Sequence, residues 1–375
     1  MELKGYIRND GRVGFRNYVL IVPLTNCVAD ITRRVSDRVP GTIPLVHAHG
    51  CDLIYRDADL FGRILEMTVT HPNVGGVVFI TLSCAQGNMF KLHKKVRDSG
   101  RLCETINVHS TGGTSSCVSE AARIAAGFVD ELRKQKRRTV PLSSIVLGTE
   151  CGSSDAMSAL YTNPVVGAAC DRLIDLGGTV VLSEDYELYG GKELLYARAE
   201  NKDVEFRIKR MMDGLAEKWA ERFNEDLEMV NNSEAIREKA VGRISKAGTK
   251  KIQAVFEMED IIDVPGLVLL NAPNDDIRNV TCLSASGCQI IIFTTGKGTC
   301  VGSPTGICIK VTSSEVMMTE NIDIDLSGLY SRQCSLKEAA EVVFEHIIQA
   351  ANGQLQKSEQ LGHFDFGIPI RGITF

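Results

Sequence analysis

The sequence predicts an α/β fold made of two Rossmann-like or flavodoxin-like domains with mainly parallel sheets. Short β-branched runs recur along the chain, and each is continuously apolar, which is typical of strands buried on both faces. Amphipathic stretches of helical length separate several of these runs, as βαβ crossovers require. The length of 375 residues exceeds one ordinary core and fits two domains.

The apolar runs predict strands at 18–24, 42–46, 76–82, 105–108, 144–148, 179–183, 266–271 and 289–294. Helices are predicted at 28–38, 57–70, 115–136, 156–176, 190–224 and 335–351. The last helix has the clearest start signal, because Ser335 and Glu338 have the spacing of a capping box.

A basic, proline-containing segment, KQKRRTVPL (134–142), follows a long predicted helix and marks the expected domain boundary. We therefore expect domains at residues 1–137 and 141–375. The charged segment 199–262 is expected to form helices and connections on the surface of the second domain.

Composition and charge narrow the class of protein. The net charge of −5 argues against binding to nucleic acid or to anionic membranes. No apolar run approaches the ~20 residues that span a bilayer. The N-terminal segment MELKGYIRNDGR lacks the apolar core of a signal peptide, so a cytoplasmic location is expected.

The chain contains 12 cysteines, and their positions suggest two different roles. No CxxC motif is present, which argues against a zinc ribbon or a thioredoxin-type site. Some thiols lie in apolar or helical surroundings and are interpreted as small buried hydrophobes, namely Cys103, Cys117, Cys170, Cys282, Cys308 and Cys334. Others come at or just beyond predicted strand ends, where ligands bind in parallel sheets: Cys27, Cys51, Cys84 and Cys151.

Histidine and carboxylate residues accompany these strand-end cysteines. His47 and His49 precede Cys51, Glu150 precedes Cys151, and Glu184 directly follows another predicted strand. Thiolates favour zinc, copper(I) or iron, whereas imidazole and carboxylate also suit ferrous or manganous ions. We therefore predict a metal site among His47, Cys51, Cys84, Glu150 and Cys151, the alternative being that the thiols only line tight turns.

Two glycine-rich turns and one arginine-rich loop are candidate anion sites. The turns STGGT (110–114) and TTGKGT (294–299) could bind a carboxylate through backbone N–H groups, with Lys297 adding charge, or could be plain turns. Neither matches GxGxxG or the P-loop, so a nucleotide site is weakly supported. The loop RNDGRVGFRN (8–17) is either a solvated entry loop or a carboxylate clamp built on arginine.

Six longer motifs are spread over nearly the whole chain: DGRVGFRNYVLIVPLTNC (10–27), HAHGCDL (47–53), HPNVGGVVFITLSC (71–84), VLGTECGSSDA (146–156), NPVVGAACDRLIDLGGTVVLSEDYELYG (163–190) and IIFTTGKGTCVGSPTGICIKV (291–311). Taken together, they resemble the altronate/galactarate dehydratase family. The resemblance implies two consecutive family domains. It also implies dehydration of an aldonic or aldaric acid to a 2-keto-3-deoxy acid with a divalent metal, typically iron.

The resemblance and the residue patterns together assign roles to individual positions. His47, Gly50 and Cys51 match the family's H-x-x-G-C element, and Cys84 closes the matching strand. The expected metal ligands are Cys51, Cys84 and Cys151, holding iron as Fe2+ or as an iron–sulfur cluster, or another divalent metal. The expected catalytic residues are His47, Glu150 and Lys297, and the expected substrate-binding residues are Arg12, Arg16, Asn17, Gly112, Gly113, Thr114, Asp155 and Thr295.

The sequence also departs from the family pattern. It begins at the arginine loop without the family's small β-rich module, which implies a separate small β-domain subunit, and a homo-oligomer is also expected. NNSEAIREKAVG (231–242) lacks the usual glycines, AQGN follows Cys84, and GSPTG (302–306) replaces another turn. These departures leave open a sulfolactate sulfo-lyase large subunit or a non-catalytic binding subunit. A nucleotide-dependent oxidoreductase is a further alternative. It requires an acidic ribose-binding residue about 20 residues beyond a glycine fingerprint, and the sequence contains no such pair.

Overall fold

A computed structural model of the chain describes residues 2–49, 55–82, 88–153, 155–314, 319–331 and 334–369. Gly50 and two of the three predicted metal ligands, Cys51 and Cys84, lie outside these described residues.

The strands are β1 (Leu3–Ile7), β2 (Val13–Gly14), β3 (Tyr18–Pro23), β4 (Thr42–Pro44), β5 (Val74–Thr81), β6 (Leu102–Asn107), β7 (Arg138–Val140), β8 (Val146–Gly152), β9 (Thr179–Leu182), β10 (Ile252–Glu257), β11 (Gly266–Asn271), β12 (Ile290–Thr295), β13 (Ile307–Thr312) and β14 (Ile324–Asp325).

The helices are α1 (Ala29–Arg38), α2 (Tyr55–Val69), α3 (Asn88–Asp98), α4 (Thr114–Arg133), α5 (Asn163–Asp175), α6 (Asp185–Leu188), α7 (Lys192–Ala197), α8 (Lys202–Phe223), α9 (Leu227–Val230), α10 (Glu234–Ile244), α11 (Asp276–Ala285), α12 (Ser327–Ser331), α13 (Leu336–Ala351) and α14 (Lys357–Gln360). A π-helical turn, Ser158–Thr162, precedes α5, and a 3-10 turn, Ser245–Ala247, follows α10.

Two parallel sheets organise the described part of the chain. The first has the order β4-β3-β5-β6, and the second has the order β10-β11-β9-β8-β12-β13-β14. A small antiparallel sheet, β2-β1-β7, joins the start of the chain to the segment between the two parallel sheets. The predicted α/β class with mainly parallel sheets is confirmed.

Apolar side chains cover both faces of each parallel sheet. In the first sheet, Val19 and Ile21 face α1 and α4, while Leu20 and Val22 face a second cluster that includes α2. This two-sided burial explains why β3 is continuously apolar in the sequence. The second sheet packs its faces separately, one against α5 and α13 and the other against α11.

The two sheets are held together by buried polar contacts and by late segments of the chain. Asn73, next to β5, donates to the carbonyl oxygens of Gln289 and Thr305 at 3.0 and 2.8 Å. Phe364 and Phe366 pack against the core of the first sheet although they follow every strand of the second. The exact domain boundary stays a prediction.

Several predicted elements need correction. The strand predicted at 144–148 runs from Val146 to Gly152, and the helix predicted at 190–224 divides into α7 and α8. The capping box at the start of α13 is confirmed, since Ser335 and Glu338 exchange both hydrogen bonds. Across the described ranges, the structure contains no helix with the length and hydrophobicity needed to cross a membrane.

Candidate functional site

The direction of strand addition in the second sheet reverses between β8 and β12. The chain leaves β8 for β9 on one side and later returns to β12 on the other side. Ligand sites of open parallel sheets form beyond the carboxyl ends of the strands at such a reversal. Cys151 lies near the end of β8 and Thr295 ends β12, so both predicted site residues lie at this edge.

The sequence had suggested that Glu150 and Cys151 follow a strand. In the structure, both residues lie within β8. Because successive residues of a strand point to opposite faces, these two side chains leave the sheet in opposite directions. Cys151 lies on the same face as Leu147, which packs in the core that contains α5. The neighbouring motif residues therefore serve two different environments.

Cys151 belongs to a buried polar cluster with Glu184 and Lys246. The Lys246 ammonium forms an ion pair with the Glu184 carboxylate and donates to Cys151 Sγ at 3.4 Å. Cys151 Sγ lies 3.6 Å from Glu184 Oε1. The three residues are 4%, 1% and 0% exposed, in the order Cys151, Glu184 and Lys246, so their charges interact in a low-dielectric environment.

Two glycines let the turn that carries Lys246 approach the sheet closely. Gly167 of α5 touches the backbone of this turn, and a Cβ at that position would overlap the carbonyl oxygen of Ser245. Gly248 ends the turn with φ +76°, a left-handed conformation that glycine adopts without strain. The segment predicted to lie on the surface at 199–262 thus contributes a fully buried lysine, and that part of the prediction is wrong.

Glu184 follows β9 in a backbone conformation that is unusual for its residue type. Its φ and ψ are 76° and 60°, in the left-handed region, and it directly precedes α6. A non-glycine residue in this region carries strain on the order of 1–3 kcal/mol, which the surrounding structure must offset. Such residues cluster at functional sites, and the ion pair with Lys246 fixes this one in place.

Glu150 is a buried carboxyl group whose oxygens have no hydrogen-bond partner among the described residues. Burial raises the pKa of Glu150 well above its usual range. The Lys246 charge opposes this rise, whereas Asp276, Cys151 and Glu187 add to it. The environment therefore favours the neutral carboxylic acid, which can donate a proton.

Three side chains of this region can offer ligands to one metal ion. Donor atoms of Cys151, Glu184 and Glu187 all lie within 4.8 Å of one another. A thiolate with two carboxylates suits iron(II) or another divalent transition metal. Glu187 also lies 2.7 Å from Arg243, and burial raises the pKa of Glu187 to about 7. The donor set fits a divalent ion, although Lys246 contacts two of the same donors.

Asp155 organises a turn at the carboxyl ends of β8, β12 and β13. Its carboxylate accepts hydrogen bonds from the Ser158 N–H at 2.7 Å and from Ser314 Oγ at 2.7 Å. Burial raises the pKa of Asp155, but these hydrogen bonds outweigh burial and hold it below the ordinary value. Thr295 is buried in the adjacent turn and accepts from the Gly298 N–H, while Lys297 is exposed.

His47 lies just beyond β4 at the carboxyl edge of the first sheet. Its Nε2 is 2.8 Å from the carbonyl oxygen of Pro23, and its ring contacts Phe61 and Phe366 edge-on. A cavity of about 450 Å³ opens beside it, lined by Asn26, Cys27, Ala29, Asp30, Arg33, Val46, His47, Ala48 and Phe366. The histidine therefore borders a space large enough for a small polar ligand.

The turn of Gly112, Gly113 and Thr114 lies at the edge strand of the first sheet. Gly112 and Gly113 have φ of 84° and 122°, and Thr114 begins α4. The left-handed backbone explains both glycines. Their predicted contact with substrate stays a prediction.

The arginine loop lies before β3, at the amino edge of the first sheet, and its predicted substrate-binding side chains each make hydrogen bonds within the protein. Arg16 forms a buried ion pair with Glu359 at 2.7 Å and also donates to two backbone carbonyls near α13. Arg12 binds Asp10 and the Thr70 carbonyl. Asn17 accepts a hydrogen bond from Arg8. We therefore leave Arg12, Arg16 and Asn17 out of the proposed substrate site.

Comparison with known protein families matches nearly the whole chain to two domains of one family. Residues 142–374 match the model "D-galactarate/Altronate dehydratase, C-terminal". Residues 5–133 match "D-galactarate dehydratase/Altronate hydrolase, second domain". The chain belongs to the D-galactarate/altronate dehydratase family. The family resemblance carried by the sequence motifs is confirmed.

Individual members of the family are similar at moderate identity. The (2R)-sulfolactate sulfo-lyase subunit beta of Chromohalobacter salexigens is 32% identical, over 98% of this chain and 98% of its own. Altronate dehydratase of Bacillus subtilis is 28% identical, over 99% of this chain and 78% of its own. Galactarate dehydratase of Escherichia coli is 28% identical, over 96% and 74%. All three relatives are named as dehydratases or as a sulfo-lyase, and the prediction that this chain is a lyase is confirmed.

Lys246 and Glu187 were missed by reasoning from the sequence. Glu184 had a usable signal, because it directly follows a predicted strand, whereas Lys246 lies in a charged, helical segment without any strand-end position. Only the packing of the Ser245–Ala247 turn against α5 brings Lys246 to Cys151. In this chain, a polar residue at a strand end is thus a better signal for the site carboxylates than for this lysine.

Proposed function

We propose that the chain eliminates water from a polyhydroxy carboxylate, an aldonate or aldarate such as altronate or galactarate, and yields a 2-keto-3-deoxy acid. One observation supports this most directly: the buried Glu150, whose raised pKa favours the neutral acid, and the charged Cys151–Glu184–Lys246 cluster lie on opposite faces at the same end of β8. Dehydration needs an acid and a charge-stabilising centre, and this edge of the sheet offers both. Family membership supports the same class of reaction.

The difficult step is removal of the proton next to the substrate carboxylate. That proton is weakly acidic, so the negative charge that develops on the carboxylate must be stabilised. A divalent metal held by Cys151, Glu184 and Glu187 would supply this stabilisation as a Lewis acid. Iron is the cofactor we propose, as Fe2+ or as a cluster, and other divalent metals are alternatives. Cys51 and Cys84 stay predicted ligands.

Protein side chains would handle the protons. Glu150, favoured in its neutral form, protonates the departing hydroxyl group. His47 is the proposed proton acceptor, because an imidazole can take up a proton near neutral pH and this one borders a cavity. Lys297, exposed at the end of β12, is a proposed contact for a substrate carboxylate, with Asp155 and Thr295 shaping the turn.

A second candidate is elimination of sulfite from sulfolactate. The sulfo-lyase subunit beta of Chromohalobacter salexigens is matched over 98% of both chains, whereas the two dehydratases extend beyond the match. Both reactions remove a leaving group from C3 of a 2-hydroxycarboxylate, the carbon next to the one that carries the 2-hydroxyl group. Because that relative is named as a subunit, we also propose a separate small subunit and a homo-oligomeric assembly for this chain.

Side-by-side assays test the two candidates. The full-length chain, loaded anaerobically with Fe2+ and assayed alone and with any copurifying small subunit, is given altronate, galactarate and sulfolactate. We expect 2-keto acid without sulfite from at least one sugar acid. Sulfite release from sulfolactate alone would establish the second candidate instead, and no product from any substrate would reject both.

Glu150→Gln tests the proposed acid. The amide keeps the shape of the side chain but cannot donate a proton as an acid does, so kcat should fall by about 10²–10⁴. Glu120→Gln is the matched control, because Glu120 pairs with Arg123 on the exposed face of α4. Wild-type kcat in Glu150→Gln would remove Glu150 from the mechanism.

A further inference from the structure

Cys151 and Lys246 bring an oxidisable sulfur and an amine into direct contact. Cys151 Sγ lies 3.4 Å from Lys246 Nζ, and the two residues are 4% and 0% exposed. Glu184 pairs with the same ammonium and is 1% exposed. A sulfur, a nitrogen nucleophile and a proton acceptor therefore touch one another in a compartment nearly closed to bulk water.

We propose that Cys151 and Lys246 form a modification site, at which a peroxide links the sulfur and the nitrogen in a reversible sulfenamide bond. In the first step the thiolate sulfur attacks the peroxide, its O–O bond breaks, and a sulfenic acid and hydroxide result. In the second step the amine attacks the sulfur, the S–O bond breaks, and a second water leaves. The sulfur is oxidised by two electrons, and the peroxide is reduced by the same two.

Glu184 is in a position to transfer the proton that Lys246 must lose in this reaction. Lys246 must lose a proton before its nitrogen can attack, and the paired Glu184 carboxylate can pass it to the hydroxide, which leaves as the first water. A second N–H proton leaves with the hydroxyl of the sulfenic acid as water. Sulfenic acids are known to condense with backbone nitrogen in this way, and the lysine amine is a stronger nucleophile.

The contact favours the linked product, because the Lys246 nitrogen lies within reach of the sulfur as soon as the sulfenic acid forms.

The bond would switch off the site described above. It removes the thiolate that is proposed as a metal ligand and the ammonium that pairs with Glu184. An excess of an external thiol would cleave the S–N bond and restore both groups. The loss of activity rests on the proposed function, whereas the bond itself does not.

Peptide mapping of the peroxide-treated full-length chain tests the proposal. Trypsin cannot cleave after a modified Lys246, so residues 139–172 should appear linked to residues 244–250. The linked species should be about 2 Da lighter than the two peptides together, because two hydrogens are lost. Dithiothreitol should release both peptides. Cys151 recovered only as thiol, sulfinic or sulfonic acid, without any linked peptide, would overturn the proposal.

Two variants locate the bond, and an assay separates it from the proposed function. Cys170 lies in the same tryptic peptide and is buried, so Cys170→Ser should still give the linked species, whereas Cys151→Ser should not. The linked peptide in Cys151→Ser would assign the bond to another sulfur and reject the site. If the bond forms but no sugar acid or sulfolactate is converted, the proposed function fails and the modification site stands.

Discussion

At the scale of single residues, Lys246 dominates the candidate site because its ammonium contacts two atoms that a metal would need. It pairs with Glu184 and donates to Cys151, both of which are donors of the three-residue metal set. A cation and a metal cannot share these donors at full strength, since like charges a few ångströms apart repel strongly in a buried environment. Lysine and metal should therefore compete.

Lys246→Met tests this competition. Without the ammonium, the negative donors are left unpaired until a metal arrives, so metal should stabilise the variant more than the wild type. We expect the rise in Tm on adding Mn2+ to be larger in Lys246→Met, and the Tm without metal to be lower. Lys250→Met, which breaks only an ion pair on the surface with Asp175, is the control. Equal Mn2+-induced shifts would exclude competition.

Individual site residues could be predicted from the sequence where a strand end announced them. Glu150, Cys151 and Asp155 follow that rule. In the structure, they lie at the edge of the second sheet where the strand order reverses. Lys246 could not be found, because Cys151 is 95 positions away along the chain and the segment that carries Lys246 looks like surface helix. The raised pKa of Glu150 depends on burial, which no local pattern reveals.

At the scale of elements, the 3-10 turn Ser245–Ala247 depends on its contact with α5. Gly167 provides the contact surface, because any side chain there would overlap the Ser245 carbonyl. The carboxylate of Asp171, one turn further along α5, accepts hydrogen bonds from the Thr249 N–H at 2.8 and 3.0 Å. Helix α5 therefore fixes both ends of the turn and, with them, the position of Lys246.

Gly167→Ala should displace the turn and with it the lysine. We expect a loss of about 1–3 kcal/mol in the free energy of unfolding, as for other overpacked cores, and a fall in the rate of the proposed dehydration. Gly127→Ala in α4 is the matched control, since its added Cβ meets open space and should stabilise by about 0.5–1 kcal/mol. Urea denaturation measures both variants, and an unchanged Gly167→Ala would refute the close contact.

The elements that sequence patterns located best are those with a strong period or cap. Strand β11 and helix α13 were predicted almost to the residue. Strand β13 was missed, because Lys310 interrupts its apolar run and becomes buried only through tertiary packing. The end of β8 was placed too early for a similar reason, since Glu150 and Cys151 look like loop residues until the sheet is assembled.

At the scale of the whole molecule, His71 connects the two parallel sheets. It is fully buried, its Nδ1 accepts from the Asn73 N–H at 3.1 Å, and its Nε2 lies 3.3 Å from the carbonyl oxygen of Cys288. Burial, followed by the charges of Arg12 and Arg101, lowers the pKa of His71 well below its usual range. The neutral ring is therefore part of the junction.

The junction should weaken in mild acid. The unfolded chain takes up a proton at His71 below about pH 6.5 and the folded chain does not, so stability is present above that pH and is lost as pH falls. The slope should approach about 1.4 kcal/mol per pH unit. His71→Gln should reduce this slope between pH 6.5 and 5, and His109→Gln, on an exposed turn, should keep it. Urea titrations at several pH values measure the slopes.

Phe364 and Phe366 have a consequence for how the molecule is made. They fill part of the core beneath the first sheet, yet ribosomes synthesise them after every strand of the second sheet. The early half of a nascent chain therefore emerges with an apolar surface uncovered throughout most of translation. Chaperone demand should peak during that interval, and a fragment truncated after the antiparallel β7 strand should aggregate where the intact polypeptide does not.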